Sequence, residues 1–191
     1  MKWMLLALVL LAAPAVGRAE APVFSILPDG SSVTFRVKAS VPIQGRFDRW
    51  KSTLTFTSTD VSTGVLAMNI DANSVNTGSG LKDGTLKSDQ FFDVKNHPSI
   101  TFRSTKVAQT GPETFQVTGN LTIRGVTKSQ TLVLKTTRNG AGGSVDGSMT
   151  FNRKDFGMNG GVPLVKIADS VDVIVHLKAK RVSGPPVAVK A

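Results

Sequence analysis

After residue 30 the chain alternates apolar and polar side chains with a period of two, run after run. Residues two apart share one face of an extended strand, so each run builds a strand with one buried and one wet face. SVTFRVKAS places Val33, Phe35 and Val37 on one face and Thr34, Arg36 and Lys38 on the other. STLTFTS carries Leu54 and Phe56, VLAMNI carries Leu66, Met68 and Ile70, and SITFRST carries Ile100 and Phe102. The series continues through Phe115, Val117, Leu121 and Ile123, then Leu132 and Leu134, then Met149 and Phe151, and ends with Val171, Val173, Val175 and Leu177. About eight strands are expected. PDGS (28–31), TGPE (110–113), RGVT (124–127) and NGAGGSVDG (139–147) read as the turns between strands, and short turns make antiparallel neighbours.

So many antiparallel strands leave two edges, which a chain removes by closing the sheet or stacking two sheets. Pattern alone leaves barrel and sandwich both open. Helix is expected only around LKDGTLKSDQFF, with Leu81, Leu86, Phe91 and Phe92 against the sheet. The tail SGPPVAVKA, residues 183–191, reads as a frayed, flexible end. MKWMLLALVLLAAPAVGRAE has a basic start, an apolar stretch and small residues at Gly17 and Ala19, the layout of a secretory leader cleaved after Ala19. The expected organisation is a leader over 1–19, one barrel domain over 20–182 and the tail.

Without the leader, 21 basic side chains face 13 acidic ones, the 23 of the whole chain less Lys2 and Arg18, for a formal charge of +8. The cations are scattered, and export removes most nucleic-acid partners. Transient contact with an anionic membrane surface is the alternative to a merely soluble surface. There is no cysteine, and the two histidines, His97 and His176, are far apart in sequence, so neither redox chemistry nor a metal centre is expected. Asp83, Asp89 and Asp93 cluster in one stretch, but turn and helix-start capping accounts for them, and catalysis is not expected. The aromatic inventory past the leader is ten phenylalanines, Trp50 and no tyrosine. Phenylalanine has no polar handle, so such an interior suits an ordinary core or a cavity for an apolar chain.

The chain carries, in order, SVTFRVKAS, QGRFDRW, IDANSVNTGSGLKDGTLKSDQFFDVKNHPSITFRST, VTGNLTIRGVTKSQTLVLK and FNRKDFGMN. In these segments it resembles the YceI-like, polyisoprenoid-binding family of exported bacterial proteins, over about residues 24 to 180. The resemblance implies an all-β, closed, eight-stranded lipocalin-like antiparallel barrel with one short helical segment near its opening. It also implies a long isoprenoid lipid or quinone held in an empty apolar tunnel, with no other cofactor. Cleavage of the leader implies a periplasmic or secreted protein, and monomer and homodimer both stay open. It departs from the family at Ala39, where members usually carry histidine, and at Lys82–Asp83, where they usually carry Arg-Asp. The inward positions expected to touch such a ligand are Val33, Phe35, Val37, Phe47, Leu54, Phe56, Leu66, Met68, Ile70, Ile100, Phe102, Phe115, Val117, Leu121, Ile123, Leu132, Leu134, Phe151, Val173 and Val175. Phe91 and Phe92 act either as an apolar plug over the opening or as an anchor on the outer wall. Arg46, Lys82, Arg124 and Arg153 are the candidates for contact with a diphosphate or quinone head, or are simply solvated.

Overall fold

The computed structural model describes residues 20–161 and 164–190; the expected leader lies outside them. Ten strand segments form the sheet: β1 (Val23–Ala39), β2 (Ile43–Phe47), β3 (Trp50–Thr55), β4 (Val65–Asp71), β5 (Val75–Asn76), β6 (Ser99–Gly111), β7 (Thr114–Ile123), β8 (Val126–Asn139), β9 (Gly142–Asn152) and β10 (Ile167–Ser183). Neighbours pair antiparallel in the order β10-β9-β8-β7-β6-β4-β3-β1, and β10 pairs back onto β1, closing the sheet. β2 and β3 are two halves of one bent strand against β1, and β5 continues β4 in the same way beside β2. Eight bent strands therefore make a closed antiparallel barrel, as the resemblance implies.

The bend is held by side chain as well as backbone. Ser74, buried, accepts from the Arg49 N–H at 3.0 Å and donates to the Asp71 carbonyl at 2.7 Å, supplying partners that a straight ladder would have provided. PDGS, expected as a turn, is instead a bulge inside β1: Leu27 pairs with Lys178 and Ser32 with His176, so four residues loop out of the register. Gly30, at φ 78°, makes the reversal, and the Ser31 hydroxyl accepts from the Lys178 N–H at 2.8 Å in place of the missing rung. β1 therefore begins well before residue 30. TGPE and RGVT mark turns as read, while NGAGGSVDG turns only at Gly140 and Ala141 and continues as β9 from Gly142; RGVT is a two-residue hairpin with Arg124 and Gly125 both at positive φ.

One short helix, α1 (Gly80–Lys87), lies near one end of the barrel, which is called the upper end below. Leu86 from it packs on the core while Leu81 is 84% exposed. Five residues apart on a helix is about 140° around its axis, so the two leucines cannot share a face. The tail also departs from expectation. The Ala188 N–H donates to the Thr59 carbonyl at 2.8 Å, and Gln109 exchanges two hydrogen bonds with the Lys190 backbone at 2.7 and 2.8 Å. Residues 184–190 form a strap across the lower end.

Candidate functional site

Inside the barrel the alternating side chains fill the middle and leave space at both ends. Met68, Phe102, Leu132 and Val175 are each at most 5% exposed and border neither space. They form a packed waist. Met68 faces Phe102 across β4 and β6, and the Phe102 ring lies over Gly119, where a side chain would collide with it and with the Arg103 carbonyl. The expected continuous tunnel is thus two apolar cavities, one on each side of this waist.

The upper cavity measures about 80 Å³. Of the expected positions, Val33, Phe35, Val37, Phe47, Ile70, Ile100, Leu121, Ile123, Phe151 and Val173 line it, together with Phe91 and Phe92. The phenylalanine pair therefore faces inward and is not an anchor on the outer wall. Phe92 presents its edge to Phe35 and Phe47, with ring centroids 6.5 and 5.7 Å away, at angles suited to aromatic quadrupoles. The loop carrying the pair is tied on three sides. Phe92 N–H donates to the Leu86 carbonyl at 2.9 Å, Gly160 N–H to the Gln90 carbonyl at 3.1 Å, and the Arg124 guanidinium to the carbonyls of Asp89 and Phe91.

The lower cavity is larger, about 210 Å³. Leu54, Phe56, Leu66, Phe115, Val117 and Leu134 line it, joined by Phe24, Ile26, Val107, Val145 and Leu177 and roofed by Pro186, Val187 and Val189 of the strap. Val107 escapes simple alternation because Thr105 is an extra residue in β6: Ser104 pairs with Gly119 and Lys106 with Thr118. From Ser104 onward the inward phase slips by one, and a period-two count from Ile100 and Phe102 lands on the wrong face. Phe24 and Ile26 were readable as alternation but stand before the bulge. The strap valines carried no periodic signal at all.

The four head-group candidates part company. Arg46 is exposed and paired with Asp48 at 2.6 Å, and that hydrogen bond raises its pKa above the ordinary arginine value. The same bond, with one from Asn76, holds the Asp48 carboxyl below its usual range. Lys82 sits exposed on α1. Arg124 is spent on the loop carbonyls. Arg153 corrects the solvated alternative: at 7% exposure it borders the upper cavity and donates to the carbonyls of Met158, Gly160 and Ala168 while pairing with Asp169 at 3.2 Å. A cation this buried and this fully partnered fastens the segment after β9 over the upper end.

The three carboxylates do not form one cluster: two are engaged separately and the third faces solvent. Asp83 accepts from the Thr77 hydroxyl at 2.7 Å and its N–H at 2.8 Å, which lowers its pKa, and so bolts α1 to β5. Asp93 holds the Asn96 amide at 3.0 Å and stands beside His97. Asp89 is exposed. His176 faces outward and meets Asp146 at 2.6 Å. Among the described residues no three histidine or acidic side chains are grouped to hold a metal ion.

The profile of the YceI-like domain matches residues 24–179. A UPF0312 protein of Pseudomonas aeruginosa is 34% identical over 175 residues, covering 86% of this chain and 90% of that one. Among solved structures, BcnA of Burkholderia cenocepacia superposes with a TM-score of 0.74 at 28% identity, over 81% of this chain and 99% of its own. A polyisoprenoid binding domain from Saccharophagus degradans, implicated in plant cell wall breakdown, superposes at 0.65 with 18% identity, over 84% and 99%. At that identity the last likeness speaks for the fold alone.

Proposed function

Because this chain belongs to the YceI-like family, we propose that it is an exported, periplasmic binding protein that carries a polyisoprenoid or similar long-chain amphiphile, quinones included, with the tail inside the barrel. It performs no chemistry of its own on the cargo. The observation that carries this reading is the pocket beneath Phe92, whose exposed surface is apolar and whose lining is almost entirely aromatic and aliphatic. The name of the Saccharophagus degradans neighbour and the secretory layout of residues 1–19 support it.

Magnitudes set the length of the cargo. Burying hydrocarbon contributes about 0.8 kcal/mol per methylene, so a five-carbon isoprene unit contributes about 4 kcal/mol. Association costs about 4–15 kcal/mol. One unit is therefore insufficient, and several bind without a strong head-group contact. At about 80 Å³ the upper cavity is about half the size of an apolar cavity of about 150 Å³ that takes benzene. A tail of several units consequently seats as the Phe92 ring swings aside.

The packed waist favours a second reading, a barrel filled by its own side chains with a structural or stress-response role. Gentle purification of the exported protein, organic extraction and mass spectrometry separate the two. The carrier reading expects an isoprenoid in near-equal amount to the protein and uptake of geranylgeraniol by the stripped protein. A clean extract combined with no uptake leaves the self-filled barrel.

A further inference from the structure

The lower cavity has features that the upper one lacks. Along β8 the inward series runs Leu132, Leu134, Thr136 and then Arg138; along β10 it runs Val175, Leu177, Ala179 and then Arg181. Two strands thus end their apolar faces on an arginine at the same rim, and both arginines border the cavity. Between them the wall is the start of β9 and its turn, where Gly143 pairs with both Arg138 and Ala179 and Gly142 with Lys180. Along Gly140–Gly143, which border the cavity, no side chain is larger than that of Ala141. Among the described residues neither arginine has a carboxylate partner; Arg181 donates to the Gly184 carbonyl at the root of the strap. Asp60, which forms an isolated bridge with Ala188 of the strap, is turned to the Ser62 N–H.

We propose that the lower cavity is a separate binding site for a single-chain amphiphile with an anionic head, its chain among Phe24, Phe56 and Phe115 and its carboxylate or phosphate between Arg138 and Arg181. This goes beyond the carrier reading, since the waist isolates the site from the upper cavity. An apolar cavity of about 150 Å³ takes benzene, about 25 Å³ per carbon, so the 210 Å³ chamber takes about eight carbons and the remaining chain reaches the rim. Planar guanidinium groups suit a flat carboxylate or a phosphate face; Arg138 is exposed at the rim and Arg181 is half-buried. The strap, held by Thr59 and Gln109, covers the bound chain.

Isothermal titration with decanoate, decyl phosphate and decanol tests the site in the full chain. Both anions are expected to bind about tenfold or more tighter than the alcohol. R138Q/R181Q is expected to remove that advantage while leaving decanol unchanged, and R138K/R181K to restore most of it; matched thermal melts establish that both variants fold. Ending the chain at Ser183 is expected to speed decanoate release. Saturation with geranylgeraniol is expected to leave decanoate binding intact. Anions that bind no better than decanol, a double glutamine variant with unchanged anion affinity, or full competition by geranylgeraniol would each overturn the proposal. Decanoate binding in a protein that takes up no isoprenoid leaves this site standing and removes the carrier reading.

Discussion

Phe102→Ala is the substitution that asks most of this structure, because one ring both stabilises the waist and divides the cavities. The side chain is 4% exposed, faces Met68 on one neighbouring strand and Leu121 on the other, and lies over Gly119. Removing a buried phenylalanine ring costs about 3–5 kcal/mol, part transfer energy and part cavity. For a chain of this size each kcal/mol lowers Tm by about 2–4 °C, so a fall of about 6–20 °C is expected. The hole left behind joins the upper cavity to the lower one. An isoprenoid tail then gains room for about one more unit, worth about 4 kcal/mol of burial, which is close to what the substitution removed. Scanning calorimetry with and without geranylgeraniol should therefore show the variant regaining most of its lost Tm when loaded, a larger ligand shift than the wild type gives. A loss below about 1 kcal/mol would mean that the waist is not packed as described. An ordinary loss with the same ligand shift as wild type would mean that the ring does not stand in the path of the tail.

Arg153→Ala leaves the Met158, Gly160 and Ala168 carbonyls without their donor and should cost about 3–5 kcal/mol in urea unfolding, with Arg153→Lys recovering only part, since an ammonium lacks the planar fork. The Asp83 carboxyl is held below its usual range by the Thr77 hydroxyl, so the stability it adds is fully present above about pH 3.9 and disappears as pH falls through its lower folded value. Thermal melts of wild type and Asp83→Asn should accordingly differ at neutral pH and converge under acid; a constant gap down to the lowest pH would contradict that assignment. Trp50 is half-buried against the core and borders neither cavity, so its emission should report unfolding and stay unshifted on lipid loading. A clear shift with geranylgeraniol would place the tail elsewhere.

Alternation in SVTFRVKAS, VLAMNI and SVDVIVHLKA determined the strands and their inward faces, because a half-buried strand imposes its period on residues that are neighbours in sequence. All the inward positions read in this way lie within the barrel. Thr105 and PDGS were opaque for the complementary reason: a bulge is a mismatch between two strands, invisible in either one. The same limit hid the buried Arg153, whose acceptors sit on a segment that only packing brings to it. It also hid the strap, whose residues 188 and 190 find partners at Thr59 and Gln109 far back in the chain. Periodicity decided the strands and their apolar faces, since it is local; it left barrel and sandwich open, and the family resemblance chose the barrel. Tertiary structure alone decided that the interior is two chambers and not a tunnel, since filling a space depends on how side chains from many strands meet at its centre.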